Sequence, residues 1–487
     1  MLIVHCLPLS ELRINAKTFL FSPLSPFIAN LATLIYGLSI GWLSPNLELL
    51  LSSATPLSSG TITPSEAGWI GSIGTVGCVL AVLICGWVAE IAGRKAALML
   101  IGIAQLASWI VVIFASNLNM IYTFRILGGF AGGGTLSVIP LFVSEISEDK
   151  IRGSLGAVLS ITCNIGILLG FILCYYLEYY TVSYIALACC ILYSVGCMFL
   201  PESPQYLFTK EKKDRAIRSL RFYRGEADNE SSKFISEVAR FKEMHSNAPK
   251  DSTRKVQLHI KDLLNKPTLK GILICVIVMM FLPMSGSVTL ITFTDSIFRE
   301  SGSDLPPATC AMIVAAIQLV GSYVSSVTVD NAGRKVLLIT SALGCAICSA
   351  TMGTYTFLNV NGVDLSYFKW IPVTSLSGLV FITAIGIGIV PFIIMPEILA
   401  PRVRGFVITW CLLEFHAVAF LVVKFFPTVV DKIGLYPVMW FFSCCCVASA
   451  LFVIFYVPET KGKSFEEITE SLDSEKKTVP KRTSLDV

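Results

Sequence analysis

Charge is scarce in this sequence. Asp, Glu, Lys and Arg make up only 14% of its 487 residues, against about 25% in a soluble domain, and that deficit excludes a water-soluble globular protein. Charge of one sign is scarce too: 37 basic residues face 33 acidic ones, too little surplus to hold a nucleic-acid backbone, so no nucleic-acid partner is expected. There are four histidines, and no metal-ligand spacing, nucleophile–base set or phosphate loop appears, so the sequence supports neither an enzyme nor a metal or cofactor. The first 26 residues lack the ordered basic, apolar and small-residue regions of a secretory signal. What the chain has in abundance is apolar length. Hydrophobic residues reach 54%, arranged in twelve largely uncharged runs, each long enough to cross a hydrocarbon core of about 30 Å as a helix.

The runs are Phe27–Leu47, Ala67–Ala92, Ala96–Ala115, Met120–Val143, Ser154–Leu177, Thr181–Leu200, Leu269–Asp295, Pro306–Val329, Val336–Leu358, Pro372–Pro396, Val403–Phe426 and Leu435–Val457. Connections after odd-numbered spans hold only three basic residues, Arg299, Lys369 and Lys432, while most of the rest lie in even-numbered connections and the tails. By the positive-inside rule both termini and the even loops face the cytoplasm. The expected organisation is a cytoplasmic tail over 1–26, a six-helix bundle over 27–200, a polar linker over 201–268, a second bundle over 269–457 and a cytoplasmic tail over 458–487. Helix-like stretches, Lys210–Arg224 and Ser232–Lys242, mark the linker. The sequon Asn229–Ser231 falls in it and should stay unglycosylated. The 16 cysteines fall almost all within spans, as Cys163, Cys190 and Cys445 do, where cysteine behaves as a small hydrophobe.

The sequence repeats itself. Glu90-x-x-Gly93-Arg94-Lys95 recurs as Asp330-x-x-Gly333-Arg334-Lys335; Glu145 with Arg152-Gly153 recurs as Glu397 with Arg404-Gly405; Pro201-Glu202-Ser203 recurs as Pro458-Glu459-Thr460. Three patterns in one order at nearly one spacing predict two six-helix halves of like orientation, a parallel repeat. All the repeated charges sit at cytoplasmic helix ends, where carboxylates and arginines can pair while the bundles are packed together. A network across the bundle interface can bias a two-state equilibrium.

These motifs, with Gly86, Arg125-x-x-x-Gly129, the opening Gly37–Pro45, Lys424 and the closing Val457–Gly462, resemble the sugar porter family of the major facilitator superfamily, and within it the insect facilitated trehalose transporters. The resemblance implies an all-α membrane protein of twelve helices, the major facilitator fold, carrying a small solute, a sugar, across the plasma membrane by alternating access. It implies a cytoplasmic gate of Glu90, Arg94, Glu145, Arg152, Asp330, Arg334, Glu397 and Arg404, and support of the outer half by Arg125. Serine 39 stands where proton-driven members carry aspartate, which favours facilitated diffusion.

The solute site departs from the family. The span 7 stretch reads Leu282-Pro283-Met284-Ser285-Gly286-Ser287-Val288, without the family's amides, and Phe392 replaces its usual tryptophan. Candidate substrate residues are Ser160, Asn164, Ser285, Thr289, Gln318, Phe392, Glu414 and His416. Hydroxyls in such a set also bond back to their own helices. Glu414 and His416 are costly at membrane depth and mark a function or partner, yet helical geometry sets them about 200° apart. Lys424 can snorkel outward, and Gly132–Gly134 fits close helix contact. The alternatives are a receptor-like relative that kept the gates and lost transport, and a proton-coupled carrier of a non-sugar solute.

Overall fold

The computed structural model of the chain describes residues 9–147, 152–225, 232–246, 266–302, 305–463 and 465–472. Twelve helices among them are long and apolar enough to cross a membrane. The first half comprises α1 (Leu9–Leu51), α2 (Pro64–Ile91), α3 (Arg94–Ile113), α4 (Leu118–Ile146), α5 (Arg152–Tyr176) and α6 (Tyr179–Phe199). Three polar linker helices follow: α7 (Pro204–Thr209), α8 (Lys213–Arg224) and α9 (Ser232–Ser246). The second half runs through α10 (Lys266–Met284), α11 (Ser287–Thr292), α12 (Thr294–Ser301), α13 (Pro307–Ala332), α14 (Arg334–Val360), α15 (Ile371–Ile385), α16 (Val390–Ile398), α17 (Pro401–Ile433) and α18 (Leu435–Tyr456), and α19 (Phe465–Leu472) closes the described chain.

Three elements differ from the sequence expectation. Helix α1 begins at Leu9, although its membrane-length portion is Leu24–Leu51, so part of the expected tail is helical. The seventh span is broken: Gly286, at φ 82°, takes a left-handed turn that only glycine adopts freely, and a second interruption at Phe293 separates α12. The membrane portion of this span ends at Thr292, short of Asp295. The tenth span is broken where Gly386 leaves helical geometry at φ −125°, ψ −85°, and α16 restarts around Pro391.

Packing within the first half relies on missing side chains. A Cβ on Gly37 would stand 2.0 Å from the Cys163 carbonyl oxygen, and one on Gly166 2.2 Å from that of Leu34, so α1 and α5 meet backbone to backbone. Helices α2 and α4 do the same: a Cβ on Gly77 would lie 2.1 Å from the Ile126 carbonyl oxygen, and one on Gly129 1.8 Å from that of Gly74. Gly132 leaves room for the Tyr36 ring. In the second half Gly353 of α14 faces the Trp440 ring of α18, while Gly321 of α13 meets the Phe381 backbone, its Cβ position 3.0 Å from that carbonyl oxygen.

The halves meet through α1 against α11 and α12, α2 against α17, and α5 against α13. We call the end that carries α7–α9 and α19 the linker end, and the opposite one the far end.

Candidate solute pathway and its gates

At the linker end the repeat becomes geometry. Gly93, at φ 109°, turns the chain into α3, and Glu202 caps the new helix, its Oε1 accepting the backbone N–H groups of Arg94 at 2.8 Å and Lys95 at 3.1 Å. Anionic oxygen at a helix N-terminus meets both free N–H groups and the positive end of the dipole. The Arg94 guanidinium is then aimed at Glu145 of α4, with Nη2 to Oε1 at 2.7 Å and Nε to Oε2 at 3.0 Å. Ser203 Oγ also donates to Glu145.

The second half reproduces this arrangement. Gly333, at φ 83°, precedes α14; Glu459 accepts from the Arg334 and Lys335 N–H groups at 2.9 and 3.1 Å; Arg334 Nη2 lies 3.2 Å from Glu397 Oε1; and Thr460 Oγ1 donates to Glu397 at 2.5 Å. Outside the membrane spans, Glu459 titrates below its ordinary range: burial pushes its carboxyl up, but four backbone N–H groups, of Lys461, Arg334, Lys335 and Thr460, outweigh it.

Four of the eight expected gate residues pair, Arg94 with Glu145 and Arg334 with Glu397, with a change of partner from the expected clasp. Arg94–Glu145 and Arg334–Glu397 each lie within one half and do not bridge the halves. Glu90 is exposed, Arg404 Nη2 donates to the Leu399 carbonyl at 3.3 Å, and the side chains of Arg152 and Asp330 lie outside the described residues.

Contacts between the halves lie elsewhere. Midway along α5 and α13, buried Asn164 donates to Ser322 Oγ at 2.7 Å, and Ser322 donates to the Gln318 carbonyl at 3.1 Å, so two of the candidate residues share one hydrogen-bonded run. Farther out, Ile167 and Phe171 pack on Ala311 and Ala315. Lys424 Nζ sits 3.8 Å from the Trp69 ring centroid and reaches the Ser65 carbonyl at 3.5 Å, which joins α17 to α2 by a cation–π contact. Ser44 Oγ donates to Asp295 at 2.9 Å, and Glu48 takes Arg299 at 2.9 Å. These contacts join the two halves from their middle to the far end. Ser44, Glu48, Trp69, Asp295, Arg299 and Ser322 were not marked by sequence reasoning. An acid at the very end of an apolar run was the one available signal for Asp295.

Around the broken seventh span, Ser285 Oγ donates back to the Leu282 carbonyl at 2.7 Å and lies 3.1 Å from Ser287 Oγ. Thr289 Oγ1 is buried without a hydrogen-bond partner. Ser160 is half-buried and its carbonyl accepts from Asn164 at 3.0 Å. Gln318 is half-buried and Phe392 exposed. His416 is buried against the Phe415 ring, with centroids 5.0 Å apart. Glu414 buries Oε2 with no partner. Arg125 donates from Nε to the Ile70 carbonyl at 3.1 Å, tying α4 to α2.

Residues 26–472 match the family model described as "Sugar (and other) transporter". The chain belongs to that sugar transporter family. It is 29% identical over 450 residues to a facilitated trehalose transporter of Polypedilum vanderplanki, covering 92% of this chain and 87% of that one. It is 28% identical over 457 residues to one of Culex quinquefasciatus, covering 94% and 87%. Against the relative from Anopheles gambiae, 29% identical, it spans 92% of its own length but only 56% of that protein. In fold it is similar to the inward-open xylose transporter XylE of E. coli, with a TM-score of 0.73, 22% identity and coverage of 92% and 98%. An auto-inhibited POT family peptide transporter also matches, at a TM-score of 0.61 and 11% identity, covering 88% and 96%; the fold therefore does not name the solute. The chain is a multi-pass membrane protein of that family.

Proposed function

We propose that this protein moves a sugar down its gradient across the plasma membrane by alternating access, with both termini in the cytoplasm and the linker, 201–268, as a cytoplasmic element. The observation that carries the reading is the pairing of self-contained ion networks at the linker end with interlocked halves at the far end. A carrier resting with one mouth closed, and with each half braced independently at the other mouth, is prepared to tilt about its middle. The trehalose transporters among its relatives support a disaccharide or hexose.

The substrate residues we assign are Ser160, Asn164, Ser285, Thr289, Gln318, Phe392, Glu414 and His416. Asn164 and Gln318 belong to the run that joins α5 to α13, and Thr289 holds an unused hydroxyl. Each sugar hydroxyl buried without a partner costs about 1–3 kcal/mol, so a site this poor in amides binds its solute weakly. Uptake of labelled trehalose, glucose, fructose and polyols into proteoliposomes tests the proposal. Saturable flux of at least one sugar is expected; binding without flux would replace it with the receptor-like reading.

A further inference from the structure

The far-end closure is built largely on carboxyl groups. Ser44 of α1 engages Asp295 twice, donating from Oγ to Oδ2 at 2.9 Å and accepting the Asp295 backbone N–H at 3.0 Å. One helical turn along α1, Glu48 accepts from Ser296 Oγ through Oε1 and pairs with Arg299 Nη2 through Oε2 at 2.9 Å. Positions 44 and 48 share a face of α1, as 295 and 299 share a face of α12. Helix α12 is eight residues long, set off by the break at Phe293 and by Gly302 at φ 71°, so it can swing as a unit.

The charge balance around this clasp is lopsided. Glu48 comes from α1, Arg299 and Glu300 from α12, Asp431 from α17, and the Cys174 thiol from α5. Glu48, Arg299, Glu300 and Asp431 line one open pocket together with the Phe293 and Phe426 rings. Four carboxyl groups thus face one guanidinium, and Arg299 has 66% of its side chain exposed, where water screens it. Asp295 itself is 4% exposed. In this arrangement the carboxyl is withdrawn from water; an opening that lifted α12 off α1 would return it to water.

We propose that Asp295 and Glu48 form an acid-operated latch: protons reaching the far end hold that mouth shut, so external acid brakes the carrier and does not drive it. The proposal rests on the transport reading above, with the far end outside. A protonated Asp295 still accepts the Ser44 hydroxyl through its carbonyl oxygen and ceases to repel Glu48. Burial, first, and then Glu48 push the Asp295 carboxyl up to about 6, against the Ser44 bond and Arg299; burial, Glu48 and Asp431 raise Glu300 likewise. With α12 swung away, Asp295 returns toward its ordinary 3.8. The closed form is therefore the better proton binder, and its share grows as pH falls through about 6. From pH 7.5 to 5.5 that difference multiplies the ratio of closed to open by about four.

The test uses the full chain in nanodiscs with nitroxides at Ser53→Cys and Val363→Cys, exposed far-end positions on opposite halves, in a Cys444→Ser background. Electron–electron resonance distances, measured at pH 7.5 and 5.5, should show the short-distance fraction gaining about fourfold over the long one at the lower pH. Asp295→Asn, which keeps an acceptor for Ser44 but cannot titrate, should remove most of that response; Ser44→Ala should favour the long distance at both pH values. Distances in the unsubstituted latch that ignore pH, or a shift undiminished in Asp295→Asn, would overturn the latch. Sugar uptake absent from proteoliposomes of the same protein, with the pH-dependent distances intact, would overturn the transport reading and leave the latch standing. Saturable uptake that speeds up at pH 5.5 would overturn the brake.

Discussion

Replacing Gly93 by alanine puts the linker-end design to a direct test. At φ 109° an L-residue is strained, by about 1–3 kcal/mol. The new methyl would stand 2.1 Å from Glu202 Oε2 and 2.7 Å from its Cδ, so the carboxylate must leave the α3 N-terminus. That uncaps the Arg94 and Lys95 N–H groups, for about 1–2 kcal/mol more. The combined loss is about 2–5 kcal/mol. Gly333→Ala is the internal control. Its methyl meets Glu459 Oε2 at 2.9 Å, a gap that a small carboxylate rotation relieves, so strain dominates and the loss is about 1–3 kcal/mol. Thermal unfolding of the detergent-purified proteins, followed by size-exclusion fluorescence, should rank wild type above Gly333→Ala above Gly93→Ala, and sugar flux should fall in the same order. Equal midpoints for the two variants, or the reverse order, would refute the argument that Glu202 is displaced.

Other expectations use the same geometry. Arg94→Ala strands Glu145, whose side chain is 3% exposed, and should lower stability by about 3–5 kcal/mol; Arg94→Lys should recover only part of it in the same melt, because lysine cannot make the forked contact. Glu459 titrates below its ordinary 4.5 in the folded protein, so the stability it adds is present above that value and is lost as pH falls through the lowered one. Comparing acid unfolding of wild type and Glu459→Gln should show a smaller acid dependence in the variant. Lys424→Met removes a cation 3.8 Å from the Trp69 ring and should weaken far-end closure by about 0.5–2 kcal/mol, visible as a larger open fraction in spin-label distances. Asn164→Ala and Ser322→Ala should be non-additive in solute affinity, since the 2.7 Å bond between them is lost once in either.

Much of the fold was legible because membrane crossing and chain repetition leave marks in one dimension. The twelve apolar runs matched twelve helices, and the recurrence of Gly93-Arg94 and Glu145 as Gly333-Arg334 and Glu397 corresponded to equivalent ion pairs. Which partner each charge takes was less legible. Motif spacing places charges at a common depth but does not orient one helix end toward another, so an arrangement within each half read as a clasp between halves. The breaks at Gly286 and Gly386 were hidden for a different reason: hydropathy records depth in the bilayer and continues unchanged through a turn. At the solute site, absent amides were visible, whereas the pairing of Asn164 with Ser322 joins residues 158 positions apart and has no local signature.

The glycine seams of the first half have a mechanical consequence. At their glycines, helices α1 and α5, and likewise α2 and α4, touch through main-chain atoms with no side chain there to rotate or repack. Close-packed backbone contacts of this kind have low compressibility and transmit strain. The second half differs in its interrupted seventh and tenth spans. If the protein rocks as proposed, bending should fall more on the second half, where the helix breaks lie, than on the first.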